Sequence, residues 1–422
     1  MTHTHKECPI CSRTVKPCPH CSALNRSFSS YCTECGQDIE TGTAWSGYKG
    51  NGERKSVNTG FQCKHKDFFD YRFNEIGEIR IQGHLKSILL YDDHIFVFSQ
   101  KGELLIYRIH ESDIRKTGSY NLMGSVYAEP AIEKGILYVA AEKTIYAFSL
   151  SELYQSEKSF SYLWKQTLNA TPIRALLPCE NSLYVNLKIN ANHEEIHVID
   201  NARTQSPTSS VCLTKAMKMS MLAGNTKSDP KTIYFLSDNR NQSNTRLTII
   251  EQKNSIRNNI ISLELSPVPP GFVDSIPIAI ADSSLFAVMK DKTLYRFDID
   301  MNHHKIVNCQ SVHKHVRHYA LLNKLFPVVA DMSGVFIYRP KIAIEKIGNE
   351  RMSCPPLILN HCLLAIGLMN GSIEFYDISN KCLPTIWNIS DLTNEAVTGV
   401  VSSKNIIAAG NQNGLVKICN FS

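Results

Sequence analysis

The chain has 422 residues, 43% hydrophobic and 20% charged, a balance that excludes wholesale disorder at a length too great for one ordinary core. Its net charge of +6 divides into +4 over residues 1–66, where nine Lys/Arg face five Asp/Glu, and +2 over everything after, too little for a strong polyanion binder. No apolar run approaches the roughly 20 residues a bilayer span needs, and the start, MTHTHKECPICS, has no apolar export segment; a cytoplasmic protein with reduced thiols and no membrane contact is expected.

In chain order, the first chemistry is three CxxC pairs: Cys8/Cys11, Cys18/Cys21 and Cys32/Cys35. In CPHCSALNRSFSSYCTECGQ, Cys18 to Gln37, two such pairs stand ten residues apart, with Pro19 in the first turn and Gly36 after the second. Tight turns of this kind aim four thiolates at one point, the geometry of a tetrahedral Zn²⁺ site. With every position taken by sulfur, such a zinc is structural rather than catalytic, and it lets about 35 residues fold without a large core. The repeated knuckles resemble the prokaryotic zinc ribbons and double zinc ribbons, whose pattern matches Cys18, Cys21, Cys32, Cys35 and Gly36. The resemblance implies a small adaptor that binds protein or nucleic acid. Cys8 and Cys11 lack a matching fourth pair: they could join Cys18 and Cys21, form a second site with Cys63 and His65, or use His3 and His5.

Residues 41–66 follow, and their TGTAWSGYKGNGERKSVNTG stretch is rich in Gly, Ser, Thr, Asn and Lys, which reads as a flexible tether between a ribbon at 1–40 and a second domain at 67–422. From Ile88 an apolar strand, a turn, a second apolar strand ending in an aromatic, and a polar stretch recur. Copies begin at Ile88, Pro130, Ile173, Thr232, Ile276, Phe326, Pro355 and Val397, a period of about 44 residues. Short strands at that period, without helical periodicity, predict an all-β fold, a β-propeller of four-stranded blades. Eight blades are favoured, or seven if the blurred copy at Thr232 is an elaborated loop. The last copy has no room for a fourth strand, so FFDYRFNEIGEIRIQG, from Phe68, is predicted to pair with it and close the ring.

The strings GILYVAAEKTIYAFSL and GSIEFYDI, with Trp164 and Trp387 trailing their blades, resemble pyrroloquinoline-quinone-like (quinoprotein-like) repeats, whereas the Trp-Asp dipeptides of the other large propeller type do not occur. Quinoprotein dehydrogenases, as the resemblance implies, are exported enzymes that hold their quinone with Ca²⁺, an Asp and a stacking Trp, often with a vicinal Cys pair. This chain has no adjacent cysteines, and Trp164 and Trp387 sit at blade ends, so no catalytic residue is assigned.

Other candidates read as architecture. The carboxylate pairs Asp92/Asp93, Asp274/Asp282 and Asp298/Asp300 fit turns, and the five histidines between His303 and His318, interleaved with Lys and Arg, fit an exposed interblade loop. Cys179, Cys212, Cys309, Cys354, Cys362, Cys382 and Cys419 lie in apolar runs, as small hydrophobes do. No P-loop, HExxH or Gly-x-Ser-x-Gly string stands in a supporting context. The expected function is a non-enzymatic scaffold or sensor subunit binding protein partners in a multi-protein system, with Zn²⁺ in the ribbon. The alternative is nucleic-acid binding through Arg13, Lys16, Arg26, Lys49, Arg54 and Lys55, and a quinoprotein-like enzyme stands third.

Overall fold

The computed structural model describes residues 73–377 and 395–421, apart from short stretches of one to five residues, together with four short upstream strands. Its architecture is an eight-bladed β-propeller. In chain order, blade 1 spans Leu85–Tyr91 to Ile114–Asn121, blade 2 Ala131–Glu133 to Trp164–Thr167, and blade 3 Thr171–Cys179 to Val211–Ala216. Blade 4 runs from Lys218–Met219 to Arg257–Glu264, blade 5 from Ala279–Ala281 to Lys305–His313, and blade 6 from His318–Asn323 to Ile342–Gly348. Blade 7 contains Leu357–Leu359, Leu363–Gly367 and Ile373–Asp377; blade 8 contains Val397–Ser403, Ile406–Asn411 and Leu415–Phe421.

Every blade is an antiparallel meander whose first strand lies at the ring centre, where first strands of neighbouring blades pack together. The second strand is enclosed by adjacent blades on both faces. His94–Ser99, Ile136–Ala141, Ser284–Val288 and Leu363–Gly367 are buried at every position. A strand covered on both faces must be apolar throughout, which is why these segments read as continuous hydrophobic runs rather than alternations.

The ring closes as the sequence predicts. Phe73–Arg80 is the outer strand of blade 8, antiparallel to Leu415–Phe421, with Phe73 opposite Phe421 and Arg80 opposite Leu415. Pairing the first strand of the propeller with the last removes an open edge. The blurred copy at Thr232 is a genuine blade rather than a loop: its centre strand is broken into Lys218–Met219 and Ala223–Asn225, both paired with Lys231–Asp238. That break hides the repeat from sequence.

Two segments depart from expectation. Residues 303–318 are not an interblade loop, because Lys305–His313 is the outer strand of blade 5, joined to Leu294–Asp300 through two register shifts. Of the five histidines, His313 ends this strand and His318 opens the first strand of blade 6, whereas His303, His304 and His315 lie in the turns at either end of the outer strand. Within the stretch read as a tether, Val57–Asn58 is a strand, parallel to Leu357–Leu359 of blade 7, with Val57 opposite Ile358. The backbone groups of blade 7's innermost edge are therefore used by a segment from upstream of the propeller. Of the blade-end tryptophans, Trp164 is 4% exposed, and its indole N–H donates to the Ala202 carbonyl of blade 3 at 2.8 Å. It acts as a packing residue between two blades. Trp387 lies outside the described residues.

Candidate functional site

The six predicted zinc ligands, Cys8, Cys11, Cys18, Cys21, Cys32 and Cys35, lie outside the described residues. Around them Lys6–Glu7, Thr14–Pro17 and Leu24–Arg26 form an antiparallel sheet, with Glu7 opposite Thr14 and Pro17 opposite Leu24. The residues bracketing Cys8 and Cys11 thus stand at one end of this sheet, and those bracketing Cys18 and Cys21 at the other.

In the propeller, charge gathers where the chain enters the centre strands. Lys86 of blade 1 pairs with Glu129, just before blade 2, at 2.7 Å. Arg174 of blade 3 pairs with Glu194 at 3.0 Å and reaches Asp274, ahead of blade 5, at 3.6 Å; Lys218 of blade 4 joins the same Asp274 at 3.4 Å. Arg174 is placed by a bulge in its strand, between Ile173 and Leu177, and holds a positive φ of 63°. A non-glycine residue there is strained, and strain of this kind collects where a side chain must be aimed. With 9% of its side chain exposed, Arg174 keeps its charge among three elements by sharing it between two carboxylates. Asp274, half of a suspected carboxylate pair, is an ion-pair partner here, and Asp282 lies outside the described residues. Sequence reading missed Arg174, Glu194 and Lys218 because Arg174 and Glu194 meet only through the fold of blade 3, and Lys218 and Asp274, up to a hundred positions on, join them only where blades 3 to 5 pack together.

The other suspected groups are committed to structure. Asp298 accepts from Ser284 at 2.6 Å, Arg296 at 2.8 Å and Asn308 at 3.0 Å. Burial opposes its ionisation, but these three donors outweigh it and hold the carboxyl below its usual range. Asp93 bonds Arg108 at 2.7 Å, and Asp300 bonds His303 at 2.7 Å. His313 lies between the Asp331 carboxylate, 2.9 Å away, and the Tyr338 hydroxyl, 2.6 Å away. Asp331 also accepts the Ser333 and Gly334 amides as a turn cap, and Tyr338 donates to the Val312 carbonyl. This Tyr–His–Asp chain ends on backbone, which makes it a brace between blades 5 and 6.

In an antiparallel four-stranded blade the interblade connections and the hairpins between second and third strands leave on the same side. Four methionines are exposed among the described residues, and all lie on that side: Met123 and Met217 in connections, Met332 and Met369 in hairpins. Met123 is 86% exposed, and Tyr127 is exposed beside it in the same connection. Around blades 5 to 7 the same face carries exposed Lys290, Lys292, Lys314, His315, Arg317 and Arg351, against exposed Asp291. A cavity of about 230 Å³ there is lined by Lys292, His315, Arg317, Asp331, Met332 and Ser333.

No protein-family model matches the chain, and no curated relative does. Solved structures do. The chain is similar to BamB from Moraxella catarrhalis at 13% identity, over 83% of this chain and 100% of that one, with a TM-score of 0.55. It is similar to the quinohemoprotein alcohol dehydrogenase from Comamonas testosteroni at 9% identity, over 90% and 81%, with a TM-score of 0.64. The C-terminal WD40 domain of Sif2 matches at 12%, over 82% and 98%, with a TM-score of 0.57. Identities this low show the fold alone: a propeller shared by proteins named as enzymes and proteins that are not.

Proposed function

We propose that the chain is a non-enzymatic scaffold that binds a protein partner through the face carrying its interblade connections. The observation that carries this reading is the gathering of the exposed methionines, with Tyr127, on that one face of a rigid ring. Methionine is adaptable and polarisable, suited to repacking against a partner. The basic residues at blades 5 to 7 favour an acidic partner and would raise its association rate. Among the described residues no helix is long and apolar enough to cross a membrane. The same reading gives the N-terminal segment a structural Zn²⁺ and an adaptor role, in the cytoplasm; the bracketing strands favour assigning Cys8/Cys11 and Cys18/Cys21 to different ions.

Affinity capture of the full chain from nuclease-treated native cells tests this reading. A stoichiometric protein partner, lost with Met332→Asp or Arg317→Glu but retained with Lys116→Glu on the rim of blade 1, is the expected result. A partner indifferent to both face variants overturns the use of this face, and loss of all partners on nuclease treatment moves nucleic-acid binding through Arg13, Lys16 and Arg26 to first place. The quinoprotein-like enzyme is the reading that likeness to a quinohemoprotein dehydrogenase favours. A tightly bound quinone, visible by absorbance in protein purified from native cells, would establish it.

A further inference from the structure

We propose a transition-metal site on the outer half of blade 3, built from His193, Glu195, His197 and Cys212 and suited to Zn²⁺. The four residues come together for a simple reason. Within His193–Ile199 successive side chains alternate, so His193, Glu195 and His197 share one face of the strand. In the neighbouring outer strand Cys212 stands opposite His197, and Lys215 opposite Glu195. Two imidazoles, a carboxylate and a thiol are thereby gathered in one patch.

The distances are those of a site one small rearrangement from coordination. The Nε2 of His193 lies 3.0 Å from Glu195 Oε1, and the Nε2 of His197 lies 2.8 Å from Oε2. Ligand atoms of Glu195, His197 and Cys212 all fall within 4.8 Å of one another. Around a tetrahedral zinc, with Zn–N and Zn–O near 2.0 Å and Zn–S near 2.3 Å, such ligand atoms stand about 3.3–3.5 Å apart, so side-chain rotation of about 1 Å brings Glu195, His197 and Cys212 to coordination, and His193, held on the other side of the Glu195 carboxylate, is the fourth ligand that must swing in. Mixed nitrogen, oxygen and sulfur ligation selects a borderline-soft ion over Mg²⁺ or Ca²⁺.

The surroundings agree. Glu195 and His197 are buried, whereas the Lys215 side chain, 3.1 Å from Glu195, is 62% exposed and free to turn into solvent when a cation takes its place. Ser210 Oγ stands 3.4 Å from His197 Nδ1, an acceptor for the Nδ1–H tautomer that leaves Nε2 free for the metal. Binding releases the Cys212 thiol proton to water; Zn²⁺ with one carboxylate, one thiolate and two neutral imidazoles is then an uncharged unit, tolerable between blades.

The test uses the full-length protein stripped of metal by chelator dialysis, then alkylated with iodoacetamide with or without Zn²⁺ and read by peptide mass spectrometry. Cys309, half-buried on the outer strand of blade 5, is the internal control. Zn²⁺ is expected to slow alkylation of Cys212 by about tenfold or more while leaving Cys309 unchanged. With Co²⁺, a thiolate-to-metal absorption band should persist when all six ribbon cysteines are changed to Ser and vanish when Cys212→Ser or His197→Asn is added. Lys215→Met should tighten binding by removing the competing ammonium. Equal alkylation of Cys212 with and without Zn²⁺ overturns the proposal; so does a cobalt band in the ribbon-free protein that survives Cys212→Ser.

Discussion

The second strands and the outer strands of this propeller obey opposite rules. His94–Ser99 is buried at every residue, while Ile114–Asn121 of the same blade has no buried residue. Lys305–His313 of blade 5 repeats the contrast with Ser284–Val288. An inner strand has no freedom in chemistry because both its faces are core. An outer strand has one edge in water and can carry histidine, cysteine and lysine at little cost. The chemistry worth testing accordingly lies on outer strands, on the connections, and at the charged centre where the blades meet.

The largest test of that division is an outer strand that is not free. Phe73–Arg80 closes the ring, with Ile76 and Ile79 in the core. A protein beginning at residue 81 should lose cooperative unfolding and aggregate, because the full length of Leu415–Phe421 becomes an open edge. One beginning at residue 67 keeps Phe73–Arg80 and should remain folded. Light scattering and a thermal melt separate the two. If removal of Phe73–Arg80 leaves a cooperative monomer, the closure carries less of the stability than the register implies.

Next in size, Phe96→Ala and Phe286→Ala, both fully buried in second strands, should each cost about 3–5 kcal/mol in denaturant unfolding. Lys116→Ala on the outer strand of blade 1 should change stability by less than about 0.5 kcal/mol. Equal effects would erase the distinction. Gly414→Ala lies between: its φ is +85°, and an added Cβ would stand 2.6 Å from the Ile81 carbonyl oxygen and 2.7 Å from that of Gly83. Neither backbone atom can yield without disturbing the closing strand, so a loss of about 1–3 kcal/mol is expected.

How much of this was legible in the sequence follows the same line. The second strands were, because a doubly covered strand must be a continuous apolar run, and so was the closing strand, because FNEIGEIR alternates and the last blade lacked a partner. Blade 4 was blurred where its centre strand breaks between Met219 and Ala223. The ion pairs of Arg174 were invisible, since Glu194 joins it through the meander of its own blade and Asp274 only through the packing of neighbouring blades. HEEIH was in plain view from His193 to His197, yet its meaning depended on Cys212, fifteen residues on and opposite His197 only through the register of the outer strand.

A smaller effect distinguishes charge held by structure from charge left in water. Burial opposes ionisation of Asp331, but hydrogen bonds from His313 and Ser333 outweigh it and hold the carboxyl below its usual range, as Ser284, Asn308 and Arg296 do for Asp298. Each folded value lies below the unfolded one, so the stabilisation is complete above about pH 4 and is lost as pH falls below it. Asp331→Asn should therefore lower the Tm by about 1–3 °C at pH 7, and the difference from the unaltered protein should close as pH falls through the lowered range of the folded carboxyl. A gap that persists unchanged into acid would show that packing at Asp331, rather than its charge, is what the substitution removes.

The smallest effect is a rate rather than an energy, and it sharpens the contrast at single atoms. Burial pushes the Cys179 thiol up to about 11 and those of Cys354 and Cys419 up to about 12, and all three are enclosed by core. Cys212 and Cys309 sit on outer strands and are half-buried. Alkylation proceeds through an accessible thiolate, so at pH 8 in metal-free protein Cys212 and Cys309 should be modified first among the five described thiols. The three core thiols should wait for unfolding, with rates that follow the denaturant curve. Modification of Cys354 at the rate of Cys309 under native conditions would mean that blades 7 and 8 open locally well below the global transition, and the seam between them would then be the weak joint of the ring.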